Sequence, residues 1–104
     1  MNSRAKGKRG ELEAALFLRQ HGVEARRGQQ FSGGTESPDV VSSIPNVHIE
    51  VKRVEKGNLH DWMEQAIHDA GSKMPVVMHR RNRSEWYGII RMEDLLIWLK
   101  EIKL

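Results

Sequence analysis

Apolar and polar residues alternate most cleanly near the middle of the chain. Val47, Ile49 and Val51 fall on one side, His48, Glu50 and Lys52 on the other. A period of two predicts a strand over 47–54 with one face in a core. Upstream the period changes. From about Lys8 to His21, Leu12, Ala15 and Leu16 recur at helical spacing with Ala14 and Leu18 alongside, and Gly22 follows as a helix stop. Val23–Arg27 reads as a short strand, and 28–38, rich in Gly, Ser and Gln, as a loop. Asp39–Ser43 is another short strand, ended by Ser42-Ser43 and a Pro45-Asn46 turn.

Downstream, Lys56-Gly57-Asn58 breaks the alternation. Leu59, Trp62, Met63, Ala66, Ile67 and Ala70 mark a second helix, stopped by Gly71. Pro75–Met78 is a short apolar strand, Arg80–Ser84 a charged turn, Trp86–Ile90 a further strand and Met92–Leu104 a final helix. The order α-β-β-β-α-β-β-α predicts an α/β fold, a mixed β-sheet flanked by helices. Residues 8–104 form one domain in this reading, preceded by a flexible basic arm over 1–7. Trp62 and Trp98, at helical core spacing, read as packing. Leu95, Trp98, Leu99 and Ile102 make one stripe of the last helix, while Leu96 and Ile97 point elsewhere. That apolar surplus predicts a second buried surface, hence a homodimer.

Composition narrows the function classes. With 104 residues the chain has room for one compact domain. There is no cysteine, so disulfides are excluded and a reducing, cytoplasmic setting is expected (a bacterial, archaeal or phage-infected cell). No apolar run is long enough to span a membrane, and the basic N-terminus lacks the apolar stretch of a signal peptide. Lys and Arg total 17 against 14 acids, a net of +3 that implies little by itself. Its distribution says more. Arg4, Lys6, Lys8 and Arg9 crowd the N-terminus, Arg26 and Arg27 follow, and Lys73, Arg80, Arg81 and Arg83 form a third cluster. Such patches suit a phosphate backbone as well as an ordinary solvated surface. Lys8, Arg9, Arg26, Arg27, Arg80, Arg81 and Arg83 are the candidate DNA contacts.

Four residues carry candidate chemistry. Glu50 and Lys52, two apart on a strand, project together about 7 Å apart. Exposed strands often carry such pairs, so the pair alone decides little. Asp39 opens a strand after Pro38, where an Asp can also simply end a turn. A hairpin at Pro45-Asn46 would make the two strands antiparallel and bring Asp39 beside Glu50 and Lys52. Two carboxylates and an ammonium then converge, a set suited to Mg²⁺, which takes oxygen ligands and keeps several waters. Glu11 falls inside the apolar stripe of the first helix, where an unpaired acid is costly; its place in the first turn, favoured by the dipole, is the competing explanation. Gln65, beside the apolar stripe of the second helix, is placed to reach the same cleft. His21, His48, His60, His68 and His79 lack the spacing of helical zinc motifs, and zinc is not expected; His48 shares the Glu50 face.

Lys8-Arg9-Gly10-Glu11, then Gly22, Arg27, Ser32-Gly33, Pro38-Asp39 and Glu50-Val51-Lys52 together resemble the PD-(D/E)xK nuclease superfamily. Within it they are most similar to archaeal Holliday-junction resolvases and their small phage relatives. The resemblance runs from about Lys8 to Gln65 and implies a restriction-endonuclease-like fold. It implies catalytic acids at Glu11, Asp39 and Glu50, the lysine at Lys52 and a phosphate-touching loop serine at Ser32. It further implies a metal bound by Asp39, Glu50 and the Val51 carbonyl, with Glu11 serving a second metal or a metal-bound water. The expected activity is Mg²⁺-dependent cleavage of branched or duplex DNA, with Mn²⁺ as a substitute, in recombination or repair. A nicking or flap nuclease, or a DNA-binding protein with a vestigial site, are the rival readings.

Overall fold

In a computed structural model, residues 3–28 and 38–102 are described, their side chains from Gly7 onward. The alternation at 47–52 yields the central strand of the sheet. The elements are α1 (Ser3–Gln20), β1 (Ala25–Arg27), β2 (Val40–Ser42), β3 (Val47–Lys52), α2 (Leu59–Ala70), β4 (Met74–His79), β5 (Tyr87–Ile89) and α3 (Met92–Glu101). This is the predicted order. The five strands lie side by side in chain order, antiparallel except for the β3–β4 pair. That parallel pair is joined by α2, as a parallel connection requires a crossover. The result is a mixed sheet flanked by helices.

The predicted stops act through recognisable bonds. Gly22 has φ +83°, and Gly22 and Val23 donate to the Arg19 and Leu18 carbonyls, closing α1 as a left-handed C-terminal turn does. Asn58 caps α2 by accepting the His60 and Asp61 N–H groups, and Gly71 (φ +59°) follows its last turn. The N-terminus of α1 departs from expectation. Its helix begins at Ser3, so Ser3–Gly7, expected as a flexible arm, carry helical backbone. No proline interrupts this stretch, and a lone Gly7 costs a helix only about 1 kcal/mol.

The core on the α1 face joins Ala14 and Ala15 to Val40, Ile49 and Met78, with Phe17, Leu18, Val47, Val51 and Trp86 packed around them. Leu12 and Leu16, expected on the buried stripe, are nearly half exposed. The rest of the expected stripe, Glu11, Ala14, Ala15 and Leu18, spaced three and four apart, does face inward. Small alanines let the helix lie close to the sheet, and Gly10 closer still: a Cβ there would stand 2.7 Å from Arg53 Cβ. On the other face, α2 packs on β4 and β3 through Ala66 and Ala70. Both faces of β3 are therefore covered, and His48 and Glu50 are buried, where one solvated face was expected.

α3 differs most from its predicted packing. Its one buried residue is Asp94, held by Arg91 Nε at 3.0 Å. Trp98, Leu99 and Ile102, expected inside, are exposed, as are Leu96 and Ile97. Among the described residues no helix is long and apolar enough to cross a membrane.

Candidate active site

Asp39 is fixed by its backbone and its side chain together. Its N–H donates to the Ile49 carbonyl at 2.9 Å, and its own carbonyl accepts from Gly28 N–H at 2.8 Å. Its Oδ2 accepts the Val51 N–H at 2.8 Å. Gly28 is required for this approach, because a Cβ there would meet the Pro38 carbonyl oxygen at 2.0 Å. The antiparallel register that pairs Val40 with Ile49 sets Asp39 alongside Glu50. The hairpin inferred from Pro45-Asn46 thus forms, with Asn46 at φ +60° in the turn.

Glu11 reaches the same place from α1. Its carboxylate accepts Arg27 Nε at 2.7 Å. Burial pushes the Glu11 carboxyl above its ordinary value, and the Asp39 charge pushes the same way; the Arg27 hydrogen bond and charge oppose both. Glu50 is pushed up to about 7, first by burial and then by Asp39, against a hydrogen bond from His48. Asp39 therefore acts electrostatically on both glutamates, one from helix and one from strand. Three partly desolvated acids crowd together, and each would lose repulsion if a cation entered.

The carboxylate oxygens of Glu11, Asp39 and Glu50 are hard donors of the kind a divalent ion such as Mg²⁺ takes. Among the described residues no three His, Asp or Glu side chains already stand as a finished cage. Oxygen atoms of all three acids are engaged by Arg27, the Val51 N–H and His48. Lys52 ends β3 on the side of Glu50, half-buried and beside His79 of β4. Among the described residues its ammonium has no hydrogen-bond or ion-pair partner, so it is free to act on something that enters.

The remaining candidates divide. Ser32 lies outside the described residues. Gln65 is exposed on α2 and makes no hydrogen bond to the four central residues. Lys8, Arg9 and Arg26 are exposed, as are Arg81 and Arg83 in the β4–β5 turn. Arg27 is instead a partner of Glu11, and Arg80 bonds Glu13 and the Ser84 carbonyl. Sequence reasoning missed the mesh around that turn. Arg53 holds Glu13 at 3.2 Å and the Asn82 side chain at 3.1 Å, while Asn82 N–H donates to Glu55 at 2.7 Å. Nothing in the spacing of Glu13 marks its partners, which lie far along the chain. It also missed the tie between His48 and Glu50; their i, i+2 placement was the available signal.

Comparison with known proteins gives the family and the fold. The profile of a family described as "Phage putative PDDEXK endonuclease" matches residues 2–103. Among solved structures, the chain is similar to Hjc of Archaeoglobus fulgidus, a Holliday junction resolvase from an archaeal hyperthermophile. The match has a TM-score of 0.58 and 25% identity, over 82% of this chain and 72% of that one. A search of curated proteins found no match.

Proposed function

We propose that this chain, which belongs to the phage PDDEXK endonuclease family, hydrolyses DNA phosphodiester bonds with Mg²⁺ and selects branched DNA, four-way junctions above all. The observation that carries this reading is Asp39 set against both Glu11 and Glu50, with an unengaged Lys52 two residues beyond Glu50 on the same strand. Asp39, Glu50 and the Val51 carbonyl would hold Mg²⁺ or Mn²⁺, and Glu11 a second ion or a water. When bound, the cation supplies Lewis-acid polarisation of the phosphate and lowers the pKa of water. Lys52 orients the attacking water and offsets the negative charge that grows on the phosphate. Arg27 keeps Glu11 aimed at Asp39. Ser32 touches the scissile phosphate, and Gln65 lies at the cleft's edge. Lys8, Arg9, Arg26, Arg81 and Arg83 receive the backbone of the duplex arms, with Arg27 and Arg80 sharing that role through their ion pairs.

Junction preference is supported by the likeness to the archaeal resolvase. It is also supported by the exposed apolar side of α3, suited to a second copy of the chain. A two-fold dimer presents two sites to the paired strands of a junction. The protein works in the cytoplasm of the infected or host cell. Purified protein with Mg²⁺, a labelled four-way junction, a flap, a nicked duplex and a linear duplex test the reading. Symmetric cuts in the junction, abolished by chelator, are expected. Preferential cutting of the flap would make the chain a flap nuclease, and no cutting of any substrate would end the enzymatic reading.

A further inference from the structure

The three acids are held by three different donors. Arg27 holds Glu11, a backbone N–H holds Asp39, and His48 holds Glu50, its Nε2 lying 2.8 Å from Oε1. The His48 ring is 2% exposed and stands in the strand itself, two residues before its partner. The parallel register places Pro75 beside His48 and Val77 beside Glu50, and both neighbours are fully buried. Neither neighbour offers a polar side chain. If packing were the only requirement at position 48, an aliphatic side chain would fill the space without the cost of burying an imidazole. Among the described residues, that cost is repaid through Glu50 alone.

We infer that His48 is a positioning residue of the nuclease site, its buried Nε2–H locking the Glu50 carboxylate in the orientation that receives the divalent cation. The inference rests on the reading of Glu50 as a metal ligand. A carboxylate free to rotate would present its oxygens in many orientations, and ordering it on each binding event would weaken the cation. The outer partners of metal ligands act in this way, and their loss typically costs about 10- to 100-fold in metal affinity. His48 also opposes the burial that drives Glu50 toward its protonated form.

The test compares His48→Leu, His48→Gln and the parent. Leu fills the space without a donor, and Gln carries an N–H at similar reach. Mn²⁺ affinity is measured by calorimetry on each folded protein, with junction cleavage in Mn²⁺ alongside. His48→Leu should bind Mn²⁺ about 10- to 100-fold more weakly, and His48→Gln should return close to the parent. His48→Leu binding as tightly as the parent overturns the positioning role while the nuclease reading stands. A parent that takes up no Mn²⁺ and cuts nothing overturns both. Should His48→Leu fail to fold, His48→Asn replaces it, since the shorter amide does not reach Glu50. Asn and Gln variants both equal to the parent would likewise overturn the inference.

Discussion

Glu50 is a carboxyl on which burial, Asp39 and His48 act with different signs. Raised from 4.5 to about 7, it prefers its proton in the folded protein. Its contribution to stability is therefore complete below about 4.5 and lost as the pH climbs through about 7. Thermal melts in chelator should show the metal-free protein losing stability across that window. Glu50→Gln, neutral throughout, should flatten this part of the profile, and a parent that is already flat there would contradict the shift. At the same scale, Asp39→Ala and Lys52→Ala should each slow cleavage by about 10²- to 10³-fold while junction binding persists. The two differ in stability. Asp39→Ala strands the buried-side Val51 N–H and should cost about 1–3 kcal/mol, whereas Lys52→Ala breaks no described bond and should melt like the parent. Full cleavage by either variant, in a gel assay at saturating Mg²⁺, removes that residue from the mechanism.

Elements decide whether these residues meet. α1 lies close to β3 because Gly10 has no Cβ to strike Arg53. Gly10→Ala improves helix propensity, yet it should destabilise by about 1–3 kcal/mol through overpacking and reduce cleavage by shifting Glu11. Equal or higher stability on denaturant titration would show that the contact relaxes without cost. The β4–β5 turn is held from three sides by Glu13, Arg53 and Glu55, leaving Arg81 and Arg83 outermost. Replacing both with Ala should weaken DNA binding on every sequence and reduce the salt slope by about one unit per residue. An unchanged slope would place the duplex elsewhere. At this scale much was legible: the alternation at 47–52 and the stops at Gly22 and Gly71 act locally, so local sequence reports them. The exposed edge of the α1 stripe was not, because Leu12 and Leu16 share the apolar pattern of Ala14, Ala15 and Leu18 but lie beyond the reach of the sheet. Nor was the burial of His48 and Glu50, which depends on α2 covering a face that a strand's own pattern marks as polar. Arg27 and Arg80 read as free cations because their carboxylate partners lie far away along the chain.

For the whole molecule, the question is what covers α3. Leu96, Ile97 and Leu99 remain exposed on a helix whose only buried residue is an aspartate, and Ile102 just past its end is exposed as well. A second copy packed there would bury this surface and carry two active sites. Leu96→Glu with Ile97→Glu should convert the proposed dimer to a monomer at micromolar concentration, measured by sedimentation. Cleavage should then lose its paired character, nicking one strand of the junction instead of both. A parent protein sedimenting as a monomer would refute the assembly directly.

The joint between Gly28 and Asp39 reaches beyond holding one aspartate. Gly28 and Asp39 are bonded to each other, so the segment that links them along the chain has both of its ends already tied. Exchanging it for a longer insert adds little closure entropy, about 0.6 kcal/mol for each doubling, and leaves the catalytic floor in place. On the proposed reading, a lineage can rewrite that stretch to admit a different substrate while inheriting the cutting chemistry intact.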